Sequence, residues 1–152
     1  MITFNRIDSF SGPNEFLSNF HGGSVTIDGY VFKTAEHAYQ AAKATNTVDF
    51  LAVCNCATPS IAKRAGRKIK VDPSWDQIKV GVMRKVLAAK FSNDVLARKL
   101  VATYPQYLEE GNTWGDVFWG VCGGKGQNML GKLLMEVRDE IISKHGTTDP
   151  SI

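Results

Sequence analysis

The chain has 152 residues, of which 43% are hydrophobic and 22% are charged, and its formal net charge is +3. This length suits one compact domain that buries a core without disulfides or a metal. No stretch approaches the ~18 apolar residues of a membrane span, and the N-terminus lacks a basic segment followed by an apolar run. We therefore expect a cytoplasmic protein without a membrane partner, whose mild positive charge tolerates substrates that carry phosphate.

The cysteines and histidines do not form a metal-binding pattern. Cys54 and Cys56 are spaced neither as in thioredoxin nor as in half of a zinc site, and Cys122 is remote in sequence. The three histidines are scattered without ligand spacing. We expect three reduced, structural thiols and neither a metal nor another cofactor.

The N-terminal segment predicts a small amount of β-structure. Residues 2–7 have β-like character, and residues 8–14 read as a loop. Val25-Thr26-Ile27 and Tyr30-Val31-Phe32 flank Asp28-Gly29, which is a strong signal for a two-stranded hairpin.

A short helix should follow the hairpin, because Thr34 is a good N-cap and the segment to Lys43 is rich in alanine. At about 100° per residue, Glu36, Gln40 and Lys43 fall within a stripe about 60° wide. A solvated face with a weak carboxylate–amine pairing is the simpler interpretation, and a pocket lined by acid, amide and amine is the alternative. His37 lies about 100° from Glu36, so we expect a structural, hydrogen-bonded histidine.

Beyond Lys43 the sequence is mostly helical. Thr58-Pro59 supplies an N-cap and an N1 proline for one helix, and Ser74 precedes a core helix that ends before Ser92. The helix after Thr58-Pro59 is predicted over residues 60–67, and the other predicted helices cover residues 47–54, 95–101 and about 128–143. We therefore predict a mainly α-helical α+β fold, with a single domain over residues 1–145 and a flexible tail at residues 146–152.

Residues 107–128 are a second unusual stretch, with two tryptophans, three carboxylates and six of the 14 glycines. Aromatic rings beside carboxylates suit a site that stacks a planar base and handles protons. The run Gly123-Gly124-Lys125-Gly126 leads into the last helix, where backbone N–H groups and a lysine could bind phosphate. A flexible turn is the alternative, because the run lacks the spacing of a P-loop.

Short motifs recur along nearly the whole chain, from about Phe16 to Arg138. They are Ser18-Asn19-Phe20, Thr34-x-Glu36-His37-x-Tyr39-Gln40-Ala41-x-Lys43, Ala62-x-x-x-Gly66, Trp75, Val82-Met83, Lys90-Phe91, Leu108-x-Glu110, Asp116-x-x-Trp119-Gly120, Gly124-x-Gly126-x-Asn128-x-Leu130-Gly131 and Leu134-Met135-Glu136-Val137-Arg138. In this order and spacing they resemble the NADAR, or YbiA-like, N-glycosidase family.

The resemblance implies an enzyme that hydrolyses the N-glycosidic bond between a ribose and a base. Its substrates would be ribosylamino-pyrimidinone 5′-phosphates, which are early intermediates of riboflavin synthesis. In other branches of the family the substrate would be ADP-ribose attached to guanine in nucleic acid. We therefore expect a small phosphoribosyl or ADP-ribosyl substrate as the partner, with nucleic acid involved only as an ADP-ribosylated substrate. The sequence indicates no particular oligomeric state.

The family positions suggest roles for individual side chains. Cleavage of the ribose C1′–N bond passes through a cationic, oxocarbenium-like sugar, which nearby negative charge stabilises. We expect Glu36 and Asp116 to supply carboxylates, with Glu110 as a third. Lys43 would keep a carboxylate ionised or bind a ribose hydroxyl or phosphate, and an imine through its amine is less favoured because nothing in the sequence shows desolvation.

The expected substrate-binding residues combine aromatic, amide and cationic side chains with glycines. Trp119 and Phe20 would stack on the base, Asn19 would hydrogen-bond the base or the ribose, and Lys125 would take the phosphate with its flanking backbone. The full set is Phe16, Asn19, Phe20, Lys33, Gln40, Trp119, Gly120, Lys125, Gly126 and Asn128.

Two other functions fit the same residues. The first is removal of ADP-ribose from guanine in nucleic acid, for which the basic residues Lys63, Arg64, Arg67, Lys68 and Lys70 would contact the polymer. Such a charge run is usually only a solvated face. The second is a module that binds ADP-ribose or a nucleotide without turnover, and the retention of all three acids argues mildly against it.

Overall fold

The computed structural model describes residues 6–145, and most of them are helical. The six helices are α1 (Ala35–Ala41), α2 (Thr47–Cys54), α3 (Pro59–Gly66), α4 (Trp75–Lys90), α5 (Asp94–Ala102) and α6 (Met129–His145). The six strands are β1 (Arg6–Ile7), β2 (Val25–Ile27), β3 (Tyr30–Phe32), β4 (Tyr107–Leu108), β5 (Gly111–Asn112) and β6 (Val121–Cys122), and a 3-10 helix spans Gly12–Leu17. The mainly helical α+β class is confirmed. The expected tail at residues 146–152 and most of the β-like segment at residues 2–7 lie outside the described residues.

The chain folds into two compact units. Asn19–Lys90 form the first, which we name the α1 unit. The second, which we name the α6 unit, comprises the described residues of Met1–Ser18 and Phe91–Ile152. The single domain expected over residues 1–145 stays a prediction.

The hairpin of the α1 unit forms as predicted. β2 and β3 pair antiparallel, with Val25 opposite Phe32 and Ile27 opposite Tyr30. Asp28 and Gly29 both have positive φ, at 51° and 82°. Two left-handed residues are what a type I′ turn requires, and its twist matches that of the strands.

Local capping also fixes the helix starts in this unit. The Thr34 hydroxyl accepts from the backbone N–H of His37, which confirms the predicted N-cap of α1. Asn46 caps α2 by accepting from Asp49, and Thr58 caps α3 ahead of Pro59. α3 begins and ends one residue earlier than predicted, which is the usual uncertainty of a helix boundary.

Helix α1 lies at the centre of the α1 unit. It packs against α2, α3 and α4, and every one of its residues is buried. Ala35, Ala38 and Ala41 belong to the hydrophobic core, where their small side chains let the neighbouring helices approach closely. The interpretation of the α1 stripe as a solvated face is therefore wrong. The sequence of α1 looks amphipathic, but three helices surround it and bury its polar face as well.

In the α6 unit, helices α5 and α6 pack together and α6 also contacts β4. β1 pairs parallel with β4, and β5 pairs parallel with β6. β4, β5 and β6 were not predicted, because strands of two residues are too short for a period-two pattern to appear. The buried leucines of this unit are Leu17, Leu100, Leu108, Leu130, Leu133 and Leu134. All three cysteines of the chain are free thiols, as predicted.

Candidate active site

Glu36 is a buried carboxylate in the first turn of α1. Glu36 is 7% exposed, and its backbone N–H donates to the Asn19 carbonyl at 3.0 Å. One helical turn later, Gln40 is 4% exposed and its Nε2 donates to Glu36 Oε2 at 2.6 Å. The helix N-terminus favours negative charge, and a hydrogen bond to a charged acceptor is stronger than a neutral one. The fold therefore holds this acid in a fixed orientation.

Lys43 follows just beyond the end of α1, between two aromatic rings. Its Nζ lies 5.7 Å from the centre of the Tyr39 ring and 5.9 Å from the centre of the Trp75 ring. The two ring centres are 5.2 Å apart. The Lys43 carbonyl accepts from the backbone N–H of Asp72 at 3.0 Å. Cation–π attraction from both rings thus restrains the ammonium group.

The charges around Lys43 are mostly positive. Burial lowers the pKa of the Lys43 amine, and the negative charge of Glu36 opposes this effect. Repulsion from Arg67, Lys63 and Lys79 lowers the pKa of Lys43 further. The amine is therefore partly desolvated, and the surplus of positive charge suits an anionic substrate group.

Asn19 and Phe20 lie beside this group within the α1 unit. Asn19 is buried, and its Nδ2 donates to Met83 Sδ at 3.3 Å. Within residues 6–145, Asn19 Oδ1 has no hydrogen-bond partner, although a buried polar atom normally has one. Phe20 is 39% exposed, with Lys63 Nζ 5.9 Å from its ring centre. Asn19 Oδ1 can therefore accept from a substrate N–H or O–H group.

His37 and Lys33 both bind to the end of α2. His37 is fully buried, with Nδ1 2.8 Å from Thr34 Oγ1 and Nε2 2.9 Å from the Cys56 carbonyl oxygen. A carbonyl only accepts, so Nε2 carries the proton, and the predicted structural role of His37 is confirmed. Lys33 Nζ donates to the carbonyls of Asn55 and Cys56 at 3.3 and 3.1 Å. Lys33 thus caps α2, and its contact with substrate stays a prediction.

Asp116 organises a turn in the α6 unit. Its Oδ1 accepts from the backbone N–H groups of Phe118 and Trp119 at 3.1 and 2.9 Å. The amide of Asn112 reinforces this turn, because its Nδ2 donates to the Asp116 carbonyl at 2.8 Å and to Glu110 Oε2 at 3.0 Å. Asn112 thus links the Glu110 carboxylate to the backbone of Asp116. Trp119 packs edge-on against Phe118, with ring centres 4.8 Å apart.

Asn128 and Gly120 support this turn from within the α6 unit. Asn128 Oδ1 accepts from the Glu110 N–H at 2.9 Å, and its Nδ2 donates to the Leu108 carbonyl at 2.8 Å. A Cβ at Gly120 would overlap Glu110 Oε2. Gly126 and Asn128 also line an open cavity of about 630 Å³ together with Arg6, Tyr107 and Lys132. These residues shape the loop, and their contact with substrate stays a prediction.

The glycine run before α6 is a tight turn. Cys122 and Lys125 exchange backbone hydrogen bonds around Gly123 and Gly124, whose φ values are 59° and 79°. The backbone N–H groups at the start of α6 are already bonded to backbone carbonyls, and phosphate binding by Lys125 with the Gly124–Gly126 backbone stays a prediction. The N–H groups of Gln127, Asn128, Met129 and Leu130 donate to the carbonyls of Val117, Gly120, Phe118 and Trp119. Lys125 lies exposed in this turn.

The structure therefore assigns the predicted residues to two groups, each within one unit. Glu36, Gln40, Lys43, Asn19 and Phe20 belong to the α1 unit, and Glu110, Asp116, Trp119, Gly120, Gly126 and Asn128 belong to the α6 unit. Phe16 is a buried residue of the α6 unit, with Lys99 Nζ 5.6 Å from its ring centre.

Sequence reasoning missed the two aromatic rings beside Lys43. The signal for Tyr39 was available, since residues four apart lie on the same side of a helix, but no local pattern indicates Trp75. Within residues 6–145, no group of His, Cys, Asp and Glu side chains could hold a metal ion. In the same part of the chain, none of the helices is long and apolar enough to cross a membrane.

Comparison with known proteins gives consistent matches. The NADAR domain family matches residues 5–142. N-glycosidase YbiA of Escherichia coli (strain K12) is 38% identical over 141 residues, which are 89% of this chain and 88% of that protein. Riboflavin biosynthesis protein VVA0006 of Vibrio vulnificus (strain YJ016) is 37% identical over 139 residues, which are 87% of this chain and 38% of that protein. The NMR structure of E. coli YbiA is similar with a TM-score of 0.83 at 33% identity, covering 94% of this chain and 89% of that one.

Proposed function

The chain belongs to the NADAR domain family, and we propose that it hydrolyses the ribose C1′–N bond of phosphorylated ribosylamino-pyrimidine intermediates of riboflavin biosynthesis. Like the N-glycosidases it resembles, it is a hydrolase of N-glycosyl bonds. The name of the Vibrio relative supports a substrate from riboflavin biosynthesis. The observation that carries the proposal is the buried Glu36 carboxylate. Gln40 holds it by a hydrogen bond, and its charge acts on the partly desolvated amine of Lys43.

Glu36 would stabilise the positive charge that develops on the sugar. As the C1′–N bond breaks, charge builds on C1′ and the ring oxygen, and a fixed buried carboxylate stabilises it without reorganising. The same carboxylate can direct a water molecule to C1′. Asn19 Oδ1, a buried acceptor without a partner in the described residues, would bind a donor of the base or the ribose.

Lys43 gives a second chemical route. Nothing in the sequence showed that the Lys43 amine is desolvated. In the structure Lys43 is partly buried, and this burial lowers the pKa of its amine, which favours the neutral form that can attack carbon. In this route the neutral amine attacks C1′, and the base leaves with the electron pair of the C1′–N bond and takes up a proton. The ribose ring then opens to give an imine, and water hydrolyses the imine to release the sugar and restore the lysine.

The phosphate of the substrate would bind near Lys43, and the glycine run with Lys125 stays the alternative site. Lys63, Arg67 and Lys79 all act electrostatically on Lys43, and Glu36 is the acid that opposes them. Lys79 also pairs with Asp76 at 3.3 Å. A phosphate dianion would relieve the repulsion among these cations, and arginine can bind it in a bidentate manner. Roles for Asp116, Glu110 and Trp119 in the same reaction stay predictions.

Release of free base tests the proposed function directly. Purified protein is incubated with a ribosylamino-pyrimidinone 5′-phosphate, and mass spectrometry follows the free base and ribose 5-phosphate. We expect turnover by the wild type and strongly reduced turnover by Glu36→Gln, which keeps the size of the side chain and removes its charge. Micromolar binding of the substrate with no base released after overnight incubation would instead indicate a non-catalytic module.

A second candidate is removal of ADP-ribose from guanine in nucleic acid. The observation that favours it is a set of exposed cations in and after α3, namely Arg64, Arg67, Lys68 and Lys70. Such a set supports binding to a polyanion that weakens as salt is added. The same assay with ADP-ribosylated DNA decides between the candidates. The second candidate would be favoured if ADP-ribose is released from DNA faster than base is released from the riboside, and if neutralising these four residues abolishes that release.

A further inference from the structure

Gly66 is the last residue of α3, and it is buried against Gln40 of α1. A Cβ built at Gly66 would overlap Gln40 Oε1, and it would lie 2.8 Å from Gln40 Cδ and 3.3 Å from Gln40 Cβ. The first two separations are shorter than van der Waals contact allows. The carboxamide of Gln40 therefore occupies the space that any side chain at position 66 would need.

The backbone at position 66 does not itself require glycine. The φ of Gly66 is not among the positive values found in the described residues, and the residue lies in a helical turn. Without a positive φ, glycine gives the backbone here no conformation that alanine could not adopt, and alanine is the better helix former. Close approach of the Gln40 amide is therefore the physical reason for glycine at this position.

The hydrogen bond from Gln40 Nε2 to Glu36 fixes the orientation of the Gln40 amide. Nε2 donates to Glu36 Oε2 at 2.6 Å, so the reverse orientation would set two oxygen atoms against each other. Gln40 Oε1 then faces Gly66 and has no hydrogen-bond partner in residues 6–145. No second hydrogen bond would hold the amide there, so the space above Gly66 decides whether Gln40 can reach Glu36.

We propose that Gly66 is a positioning residue for the reaction: it leaves the space that lets Gln40 hold the Glu36 carboxylate in place. This inference rests on the proposed function of Glu36. Gly66 would act only through Gln40 and would not itself contact the substrate. The consequence is that a single methyl group on α3 should change the chemistry of an acid on α1.

The test compares Gly66→Ala with Gly81→Ala. Gly81 is an exposed glycine within α4 whose added Cβ would meet open space, so it is a matched control for a helical glycine. Loss of a hydrogen bond to a charged group corresponds to about 10- to 100-fold in rate. We expect Gly66→Ala to lower kcat by this factor with little change in KM, and Gly81→Ala to match the wild type. Activity of Gly66→Ala within twofold of wild type would overturn the proposal.

A double-variant cycle separates positioning from general damage. Gln40→Ala should lose about as much kcat as Gly66→Ala, and Gln40→Ala/Gly66→Ala should lose no more than Gln40→Ala alone. If Gly66→Ala fails to fold, the double variant should fold, because the overlapping amide is gone. A further loss in the double variant equal to that of Gly66→Ala alone, or a double variant that does not fold, would overturn the proposal.

A substrate-free measurement distinguishes this inference from the function on which it rests. With ¹³C-labelled glutamate, NMR follows the titration of the Glu36 carboxyl group, identified by its loss in Glu36→Gln. Removing a hydrogen-bond donor disfavours the ionised form, so the midpoint should move to higher pH in Gly66→Ala and Gln40→Ala but not in Gly81→Ala. An unchanged midpoint in Gly66→Ala would overturn the positioning role, even in a protein that cleaves every riboside tested. Conversely, a shifted midpoint in a protein that releases no base would leave the positioning role standing and the proposed function refuted.

Discussion

Lys43 Nζ lies 5.7 Å from the centre of the Tyr39 ring, which is one helical turn earlier in the chain. The contact places the Lys43 amine in a partly desolvated, aromatic environment, and burial lowers the pKa of this amine below the ordinary value of 10.5. Between the lowered pKa and 10.5, the unfolded chain binds more protons than the folded one. The free energy of unfolding therefore gains a contribution from Lys43 as pH rises through that window.

The first prediction concerns this pH dependence. Relative to Lys43→Met, which cannot ionise and preserves the length of the side chain, the wild type should become more stable between pH 7 and pH 10. Urea denaturation of both proteins at the two pH values measures the difference in the free energy of unfolding. Lys125→Met, which removes an exposed lysine in the same way, is the control for the loss of one amine. A constant difference between wild type and Lys43→Met would show that the amine is not desolvated.

The second prediction concerns the imine route. Sodium borohydride reduces an imine to a stable amine, so adding it during turnover should attach the sugar phosphate covalently to Lys43. Intact-mass and peptide mass spectrometry would detect the adduct and its position. Lys43→Arg keeps the charge but cannot form the imine, so it should give no adduct. Full turnover with no adduct in the wild type would favour direct attack by water that Glu36 orients.

The third prediction separates two roles of Asp116. Its Oδ1 accepts from the backbone N–H groups of Phe118 and Trp119, and asparagine can make the same two bonds. Asp116→Asn should therefore fold with near wild-type stability, whereas Asp116→Ala should lose about 1–2 kcal/mol of unfolding free energy because two donors lose their acceptor. Thermal and urea unfolding measure this difference.

The activity of these two variants then tests the predicted catalytic role of Asp116. If its negative charge takes part in the chemistry, Asp116→Asn should be folded but should lose most of its release of base. If Asp116→Asn and Glu36→Gln each retain near wild-type release, the carboxylate mechanism is wrong. Retention in Asp116→Asn alone would limit Asp116 to shaping the Trp119 turn.

Local signals in the sequence predicted the elements whose causes are local. Thr34 caps α1 through its own hydroxyl, and Asp28-Gly29 supplies both left-handed residues of the hairpin turn. The burial of Glu36 depends instead on α2, α3 and α4, which no pattern within α1 describes. Identifying the stripe as a site therefore required the family resemblance, and its desolvation required the structure.

The start of α6, just after the glycine run, shows what local composition does not describe. Gly123-Gly124-Lys125-Gly126 before a helix has the composition of a phosphate-binding loop, so the sequence indicated free N–H groups. The N–H groups just after the run, at residues 127–130, donate to carbonyls of residues 117–120, which the chain brings back to the start of α6. Hydrogen bonds between segments about ten residues apart leave no mark on composition, so the sequence could not show that the N–H groups of residues 127–130 are already bonded.

The last prediction places the substrate phosphate. Arg67 lies at the C-cap of α3 and repels Lys43, whereas Lys125 lies in the tight turn before α6. Arg67→Ala should raise KM for the phosphorylated riboside about tenfold with little change in kcat, because it removes binding shared by substrate and transition state. Lys125→Ala is the matched control, as it removes one exposed positive charge, and it should leave KM unchanged.

The dephosphorylated riboside makes this comparison specific to the phosphate group. Without a phosphate to bind, Arg67→Ala and the wild type should have the same KM, so the effect of the substitution should vanish. An equal rise in KM for both ribosides would mean that Arg67 acts through the sugar or through the charge of Lys43. A rise in KM with Lys125→Ala instead would place the phosphate in the turn before α6, at the site predicted for Lys125 and its flanking glycines.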